Sequence, residues 1–543
     1  MSYNYYSIEE KNNIKYIRFL DYNLISIVQS YFPNVDLFRN ALPAKNLLSV
    51  LNNLKKNYGS YFPGLINWIE EQYKDEIKII RIITEKGFIE FDNLPLLFPI
   101  GQYVHSKYDG TIIGEKVTGA EIKVYAKSGN EYFEISIEAI GSDGCSLIRT
   151  SYTYTINFWK GLRKIDKLPV IPLLKEDEIY NKLVARGKKF VKYAIGYHFL
   201  KHSSKSSKGR IMVDVSRYKG KDTNNYTRRC TEGIEMDDDV KEEELFMCVS
   251  RLSAYSFVWK EWYLINAEHL NDISFDDEAF DKLVLDQTRK SLIESLVKFE
   301  YSKSDIISNK GDGCTFLLYG PPGVGKTLTA EAISEKLHRP LYTISIGELG
   351  TDAKDLEKEL RKIFEMAHVW KAIILIDEVD IFLERRSAHE IKRNALVCVF
   401  LRLLDYHQGI VFLTTNRVNC LDDAFQTRIS IFLEYKELDT KARETLWSIF
   451  LEFSDYAPDN VNIKKLNEKH YLNGREIKNI VKLAKALNKE KNELITTELL
   501  EKIINISSKK TLEKSVEETQ SKGNKRKSGI NDQDNQPNSK KIK

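Results

Sequence analysis

Apolar residues change their spacing along the chain, and this change divides its N-terminal half. From residue 14 to about residue 75 they recur at helical spacing, which predicts a mainly helical segment over residues 1–76. From about Ile77 the period becomes two, and β-branched and aromatic residues dominate, which predicts a β-rich domain over residues 77–270. The helical spacing is carried by Ile17, Leu20, Leu24, Val28, Leu47, Leu48, Leu51 and Leu54, and the strand pattern by IKIIRIIT, GFIEF, EIKVYA, EYFEISIEAI and SYTYTINF.

Three shorter patterns lie in the second half of this β-rich region. Ile179–Tyr193 has apolar residues at helical spacing and predicts one helix. The segment HFLKHSSKSSKGR is basic and rich in serine, which predicts an exposed loop. Its Lys201, Lys205 and Lys208 fit either phosphate binding or a solvated surface. Residues 219–244 are polar and then acidic, and they predict a second loop.

The strongest local pattern follows a helical linker predicted over residues 271–304, where apolar residues recur at helical spacing from Ala279 to Phe299. CTFLLYG reads as a buried strand, GPPGVGKT as a glycine-rich loop and LTAEAISEKL as a helix, which is the order that a phosphate-binding loop requires. Glycines let the loop amides face an anion, and the helix N-terminus adds a partial positive charge. The sequence therefore predicts a nucleotide phosphate site here.

Side chains of this loop have separate predicted roles. Lys326 is expected to reach the β and γ phosphates, and the Thr327 hydroxyl is expected to bind Mg²⁺. The predicted ligands are therefore ATP and Mg²⁺. The residues expected to hold the nucleotide are Gly320, Pro321, Pro322, Gly323, Val324, Gly325, Lys326, Thr327 and Leu328.

Two further apolar strands end in polar residues. Ala372–Ile376 precedes Asp377 and Glu378, a pattern typical of a central parallel strand with carboxylates at its C-terminal end. Asp377 is predicted to hold Mg²⁺, directly or through water, and Glu378 to polarise the attacking water. The next apolar strand, Gly409–Leu413, leads into Thr-Thr-Asn, and Asn416 is predicted to orient that water.

Composition indicates which class of protein contains this site. The 543 residues correspond to three or four domains, and 42% apolar with 29% charged residues is a globular balance. The 82 Lys and Arg against 78 Asp and Glu give a net charge of +4, which is too small to indicate nucleic-acid binding by the whole chain. Scattered cysteines, a polar N-terminus unlike a signal peptide and the lack of a membrane-length apolar stretch predict a soluble intracellular protein.

The segments GPPGVGKTLTAEA, IILIDEVD, FLTTNR and DDAFQTR resemble the Walker A, Walker B, sensor 1 and arginine-finger segments of AAA ATPases. The resemblance covers residues 305 to 507 and implies an α/β P-loop NTPase core with αβα layers over 305–437, followed by a helical lid over 438–508. It also implies ATP hydrolysis in a ring-shaped homo-oligomer that remodels a macromolecular partner. Arg428 is then implied to reach the γ phosphate bound to a neighbouring subunit.

The lid segment LNGREI resembles the sensor 2 turn of the same family. By this resemblance Gly474 lets the lid backbone approach adenine, and Arg475 reaches the phosphates of its own subunit. A cap or a salt bridge on the lid surface is the alternative for Arg475. Ile306 and Ile307 stand where the family often packs the base, and an ordinary core role is equally compatible with them.

Two departures from the family pattern bear on function. AAA unfoldases usually carry an aromatic residue in the loop after the second core strand, but Ser345–Thr351 contains none, which argues against threading of a polypeptide. A slow nucleotide-dependent switch or scaffold is therefore the alternative function. A second arginine beside Arg428 is also missing, so Arg417 or Arg393 is either a second interface cation or an ordinary exposed arginine.

A narrower resemblance extends from about residue 80 to residue 507. RPLYTISIGELGTD, RNALVCVFLRLLDYHQGIVFLTTNR, VARGKKF and GRIMVD are similar to segments of AAA ATPases abundant in fungi, whose shared N-terminal half has no assigned role. It implies a β-rich α+β region ahead of the ATPase core. We expect that region to choose the partner, whose identity the sequence leaves open.

After Ser507 the chain becomes polar, which predicts a disordered basic tail over residues 509–543. Its two basic clusters are Lys525–Lys527 and Lys540–Lys543. They fit recognition by nuclear import machinery, weak binding of nucleic acid through phosphates, or a lysine-rich tail that only increases solubility. Nucleus and cytoplasm therefore both remain open as locations.

Overall fold

The computed structural model describes the chain in two compact units that divide between Ile273 and Ser274. The described residues exclude 1–4, 12–13, 32–35, 127, 204–207, 219–232, 237–238, 299–312, 351, 384–390, 418–422, 453–459, 492–494 and 508–543. None of the helices in the described residues is long and apolar enough to cross a membrane.

The first unit opens with a β-hairpin followed by helices. Its strands are β1 (Tyr6–Lys11), β2 (Ile14–Phe19) and β3 (Leu42–Pro43), and its helices are α1 (Tyr22–Tyr31), α2 (Leu51–Tyr58), α3 (Pro63–Gln72) and α4 (Lys74–Glu85). The prediction of a helix at Ile17 was wrong, because β2 pairs antiparallel with β1 and buries Ile17 and Phe19 at a spacing of two. Leu24, Val28, Leu51 and Leu54 lie in helices, as predicted.

The segment IKIIRIIT was predicted as a strand and is the main part of α4. Asp75 and Glu76 occupy the first turn of this helix, where negative charge is favourable. Ile77 packs against the core of the N-terminal segment, whereas Ile79 and Ile82 are more than half exposed. The β propensity of isoleucine is therefore overridden by local helix signals, since propensity alone is a weak predictor.

An antiparallel sheet forms the centre of the first unit, in the order β10-β5-β6-β7-β8-β13. EIKVYA, EYFEISIEAI and SYTYTINF lie largely in its long strands, as predicted. The elements are β4 (Phe88–Ile89), α5 (Leu94–Leu97), β5 (Tyr103–Tyr108), β6 (Thr111–Val124), β7 (Glu131–Ser142), β8 (Leu147–Asn157), β9 (Arg163–Lys164), β10 (Val170–Pro172), α6 (Glu178–Tyr193) and β13 (Ile234–Glu235). The helix predicted at Ile179–Tyr193 is confirmed as α6.

A second antiparallel sheet follows in the order β15-β14-β12-β11-β16. Its strands are β11 (Tyr197–Ser203), β12 (Lys208–Asp214), β14 (Arg251–Ser256), β15 (Trp262–Asn266) and β16 (Leu270–Asn271). The segment predicted as an exposed basic loop is mainly the β11–β12 hairpin, so that prediction was wrong for Lys201, which lies in β11, and for Lys208, which begins β12. Lys205 lies outside the described residues.

The VARGKKF segment of α6 has a packing role in this unit. The buried Arg186 donates a hydrogen bond to the carbonyl oxygen of Ile112, 2.6 Å away. A Cβ atom at Gly187 would overlap the backbone carbonyl of Leu245. Glycine is therefore required where α6 crosses the chain at Leu245.

The second unit contains a parallel sheet in the order β18-β19-β20-β17-β21. Its strands are β17 (Cys314–Tyr319), β18 (Leu341–Ser345), β19 (Ile373–Asp377), β20 (Ile410–Thr415) and β21 (Ile431–Glu434). The helices of this core are α7 (Gln287–Lys298), α8 (Lys326–Lys336), α9 (Ala353–Val369), α10 (Asp380–Leu383), α11 (Ile391–Asp405) and α12 (Asp423–Gln426). Three strands and α8 lie where the apolar pattern predicts them, which confirms the α/β fold of this part.

The segment predicted as a linker packs against this sheet. Phe280, Leu283, Ile293 and Val297 are buried together with residues of β17. The helix α7 begins at Gln287, later than the helical spacing predicts, because residues 279–282 form turns. This stretch is therefore part of the second unit.

A group of C-terminal helices follows the sheet, as predicted from Thr440 onward. They are α13 (Thr440–Glu452), α14 (Ile463–Lys469), α15 (Gly474–Lys491) and α16 (Thr497–Ser507). They share a core that includes Trp447, Leu466, Ile480 and Leu500. This core is separate from the core of the parallel sheet.

Candidate nucleotide site

The glycine-rich loop joins the end of β17 to the start of α8. Gly320, Gly323 and Gly325 all have positive φ angles, of 142°, 79° and 103°. At Gly320 a Cβ atom would also overlap the carbonyl oxygen of Tyr435, so the backbone there approaches the residue after β21 closely. Gly325 is the N-terminal cap of α8. The loop therefore has the backbone conformation that glycine permits, as predicted.

Lys326 connects this loop to the end of β20. Its buried ammonium group donates hydrogen bonds to the carbonyl oxygens of Gly320 (2.8 Å) and Pro321 (2.7 Å) and to Oδ1 of Asn416 (2.8 Å). Burial lowers the pKa of Lys326, and the Arg475 charge acts in the same direction, while carboxylates including Asp377 act against it. The structure thus brings Lys326 and Asn416 together, although the two lie 90 positions apart in the sequence.

Asp377 lies beside the first turn of α8. Thr327 Oγ1 is 3.3 Å from Asp377 Oδ1, and the Thr414 hydroxyl also donates to that carboxylate. Hydroxyl and carboxylate oxygens are ligands that Mg²⁺ prefers, so these residues fit this ion. Sequence reasoning missed Thr414, whose hydroxyl accepts a hydrogen bond from the amide of Glu378 at 3.0 Å.

Glu378 has a backbone conformation that is rare for a residue with a side chain. Its φ angle is +57°, and its side chain is exposed at the end of β19. Non-glycine residues in this region are uncommon and concentrate at functional sites. The bond to Thr414 holds this conformation in place.

Thr415 and Asp380 together position Asn416. The Thr415 hydroxyl donates to Asp380, and the amide of Asn416 donates to the same oxygen at 3.3 Å. Thr415 is 1% exposed, so this contact lies inside the protein. Asp380 and Thr415 were not predicted as site residues; the polar runs IDEVD and TTNR that contain them were the available signal.

An open cavity of about 510 Å³ lies beside the loop. It includes Val324 of the loop, apolar residues before α7 and the segment that leads from β21 into the C-terminal helices. Its lining comprises Val284, Leu285, Asp286, Arg289, Val324, Tyr435, Lys436, Glu437, Leu438, Asp439, Lys441, Ala442 and Thr445. Ile306 and Ile307, which were predicted near the base, lie outside the described residues.

Tyr435 connects this cavity to α8. Its hydroxyl is 2.7 Å from that of Thr329, and burial raises the pKa of Tyr435 to about 12. The phenol therefore stays protonated at physiological pH. It fixes one wall of the cavity against the helix that begins at Lys326.

Gly474 contacts the loop itself. Its amide donates to the carbonyl oxygen of Gly323 at 3.0 Å, and a Cβ atom on Gly474 would lie 2.9 Å from that oxygen. The close approach predicted toward the base is therefore made to the phosphate loop, and Gly474 is not among the residues that line the cavity. Arg475 follows on the first turn of α15, exposed and near enough for its charge to act on Lys326.

Arg428 lies at the other end of the sheet. It precedes β21, and its neighbour Ser430 bonds to Thr315 near the start of β17, whereas the phosphate loop begins after Tyr319. Five residue-to-residue steps along the strand lead from Thr315 to Gly320, or about 16 Å. The guanidinium donates to Asp405 at 3.0 Å and to the Ala424 carbonyl at 2.9 Å.

The remaining predicted residues take scattered positions. Pro322 and Leu328 are exposed at the loop and on the first turn of α8. Arg417 follows Asn416 at the phosphate end of β20, while Arg393 lies near the start of α11. After β18, residues 346–348 form a short 3-10 helix, and Leu349 is buried.

Comparison with known families agrees with this geometry. Residues 316–437 match the family described as "ATPase family associated with various cellular activities (AAA)". The chain carries an AAA ATPase domain. Its match spans the sheet from β17 to β21, together with the loop, Asp377, Asn416 and Arg428.

The AAA domain is similar to that of several curated proteins. Spastin of Dictyostelium discoideum is 31% identical over 182 residues, covering 32% of this chain and 27% of that protein. Spastin of Drosophila persimilis is 34% identical over 163 residues, covering 28% and 21%. The ATPase family gene 2 protein of Schizosaccharomyces pombe is 32% identical over 162 residues, covering 28% and 20%. The matched regions thus span about a quarter of these relatives.

A second match lies in the first unit. Residues 80–176 match a domain of unknown function, DUF7025. The match begins where the narrower resemblance begins and contains the long strands β6, β7 and β8. No activity accompanies this family, so it identifies the sheet without assigning it a role.

Proposed function

We propose that this protein is a Mg²⁺-dependent ATPase that uses hydrolysis to remodel a macromolecular partner. The observation that carries the proposal is the hydrogen bonding of Lys326 to both the phosphate loop and Asn416. The hydroxyl of Thr327 and the carboxylate of Asp377 lie at the same sheet edge. An AAA domain and an adjacent cavity of about 510 Å³ support ATP as the ligand.

The residues at this edge have complementary chemistry for such a reaction. Backbone amides of the loop and the Lys326 ammonium bind phosphate oxygens, while Thr327 and Asp377 hold Mg²⁺. When bound there, Mg²⁺ neutralises charge on the phosphates. Glu378 accepts a proton from the attacking water, and Asn416 orients that water with its amide group.

A ring of identical subunits is part of the proposal, and the position of Arg428 supports it. Arg428 lies near Thr315 at the start of β17, which is about 16 Å along the sheet from the phosphate loop of the same subunit. It therefore acts on the site of a neighbouring subunit. Its contacts with Asp405 and Ala424 fix the direction of the guanidinium.

The single most informative test is Glu378→Gln. The substitution removes the base and keeps the size of the side chain, so ATP binding should persist while turnover falls by about 10² or more. Steady-state phosphate release and equilibrium ATP binding measure the two effects. Glu365→Gln, an exposed glutamate of α9, is the matched control and should leave both unchanged. Parent-like turnover in Glu378→Gln would show that another group is the base.

A slow nucleotide-dependent switch or scaffold is the second candidate function. The observation that favours it is the segment after β18, where residues 345–350 contain no aromatic side chain and Leu349 is buried. An exposed aromatic grip for a threaded chain is therefore missing from that segment. We expect no ATP-dependent unfolding of a tagged model protein, and processive unfolding would refute the switch.

We propose that the first unit selects the partner. Its antiparallel sheets, including the DUF7025 match at residues 80–176, lie in a unit distinct from the AAA domain. The basic tail, with its proposed roles in nuclear import or nucleic-acid binding, lies outside the described residues. Trapping the ATP-bound state with Glu378→Gln and identifying which unit cross-links to the co-purifying molecules tests whether the first unit binds the partner.

A further inference from the structure

Tyr471 lies between the cavity and the phosphate loop, the two parts of the candidate nucleotide site. Its hydroxyl donates a hydrogen bond to Oε2 of Glu437, 2.9 Å away, and Glu437 lines the cavity. Two and three residues further along the chain, Asn473 and Gly474 meet the phosphate loop at Gly323. The short segment 471–475 therefore spans from the cavity rim to the phosphate loop.

The aromatic ring of Tyr471 rests on a buried arginine. The Arg443 guanidinium carbon lies 4.4 Å from the ring centroid, within the range of a cation–π contact. Arg443 is 6% exposed and donates to the carbonyl oxygen of Leu438, another cavity residue, at 2.7 Å. It also donates to Oδ1 of Asn467 at 2.7 Å. The exposed Tyr471 thus contacts the rim, residues 437–438, directly through its hydroxyl and indirectly, by way of Arg443, through its ring.

The other end of the segment is equally constrained. The amide of Asn473 donates to Oε2 of Glu476 at 2.8 Å, and the amide of Glu476 donates back to Oδ1 of Asn473 at 3.0 Å. This reciprocal cap fixes the first turn of α15, where Arg475 lies. Only Leu472, which packs against the core of the C-terminal helices, separates Tyr471 from this capped turn.

We propose that Tyr471 is a positioning residue that couples occupancy of the cavity to the placement of Arg475 at the phosphates. When a nucleotide base packs against Glu437 and Leu438, it holds these rim residues in place. The rim residues then hold Tyr471 through its hydroxyl, and Tyr471 in turn positions Arg475. The proposal rests on the ATPase function above and adds a specific link between the base end and the phosphate end of the site.

The substitution Tyr471→Phe isolates the hydroxyl, because the ring stays on Arg443. We expect ATP affinity and kcat/KM to fall by about threefold to tenfold, the range of one hydrogen bond. Since the effect passes through Arg475, the same substitution in an Arg475→Ala background should cause almost no further loss. Isothermal titration with ATP and steady-state hydrolysis measure the four proteins of this cycle.

Ser448→Ala is the matched control, because it removes a hydroxyl that bonds to the carbonyl of Glu444 in its own helix. It should bind and hydrolyse ATP like the parent. Additive losses for Tyr471→Phe and Arg475→Ala would overturn the proposal, as would parent-like ATP binding by Tyr471→Phe. A folded parent that binds no ATP would instead contradict the ATPase function itself, so the two failures are distinguishable.

Discussion

At the C-terminal edge of the parallel sheet, polar groups bond to one another across β19, β20 and the phosphate loop. At the N-terminal edge, Arg428 bonds to Asp405 beside β21, and His407 lies buried before β20. Neither ring nitrogen of His407 has a hydrogen-bond partner among the described residues. The first edge is therefore a connected reaction site, while the second combines one oriented cation with apolar packing.

This difference is what the proposed ring of subunits requires of one sheet. Lys326 and Asn416 act where β17 and β20 end, because the carboxyl ends of parallel strands meet at one edge. Arg428 lies at the opposite edge, where we propose that it acts on the site of a neighbouring subunit. In the proposed ring, each subunit would supply one edge to each of two neighbouring sites.

The largest expected effect is at Arg428. If its charge stabilises the γ phosphate of a neighbour, Arg428→Ala should bind ATP nearly normally and lose on the order of 10³ or more in turnover. Mixing it with Lys326→Ala, which should lose ATP binding, creates some interfaces with an intact loop and an intact arginine. Activity should partly return and depend on protein concentration.

Arg361→Ala, an exposed arginine of α9, is the control for this experiment. No recovery in oligomers shown to be mixed would mean that Arg428 contacts only its own subunit. The arginine that reaches the neighbouring site would then be sought at Arg417, which follows β20, or at Arg393 on α11.

A smaller effect is expected at the other edge, from His407. Burial lowers the pKa of His407 to about 4, with His368 acting in the same direction. Between pH 7 and pH 5 the unfolded chain, with a pKa near 6.5, gains a proton that the folded chain excludes. The free energy of unfolding should therefore fall by about 2 kcal/mol over that interval as pH decreases.

Chemical denaturation at the two pH values measures this dependence in the parent and in His407→Leu. The leucine variant should lose that share of the pH dependence, whereas His338→Gln, at an exposed histidine of the same unit, should retain it. An unchanged pH dependence in His407→Leu would show that other groups cause it.

The smallest of these effects concerns Thr415. Thr415→Val keeps the shape of the side chain but removes the hydroxyl that bonds to Asp380, so Asn416 loses part of its support. We expect kcat to fall about tenfold with little change in the KM for ATP, since one buried hydrogen bond is lost. Thr415→Ser should restore the rate, and a valine variant with parent-like kcat would leave Asp380 without a positioning role.

Sequence patterns predicted the phosphate loop because its residues are contiguous and each has a local cause. Gly320 and Gly325 need positive φ angles, and Lys326 begins a helix directly after a strand. Asp377 and Asn416 could be predicted because each follows an apolar strand. The same reasoning was wrong for IKIIRIIT, since isoleucine spacing fits both a strand and a helix, and the acidic residues of the first turn, Asp75 and Glu76, favour the helix.

By itself, the sequence therefore determined the strand ends and the loop of the AAA domain, where the chemistry is encoded within a few neighbouring residues. Only the tertiary structure decided which distant residues meet: Lys326 with Asn416, Gly323 with Gly474, and Tyr471 with Glu437. It also decided that Arg428 lies at the edge of the sheet opposite the phosphate loop. These contacts depend on sheet order and on the packing of the C-terminal helices, which are properties of the whole unit and have no local signature.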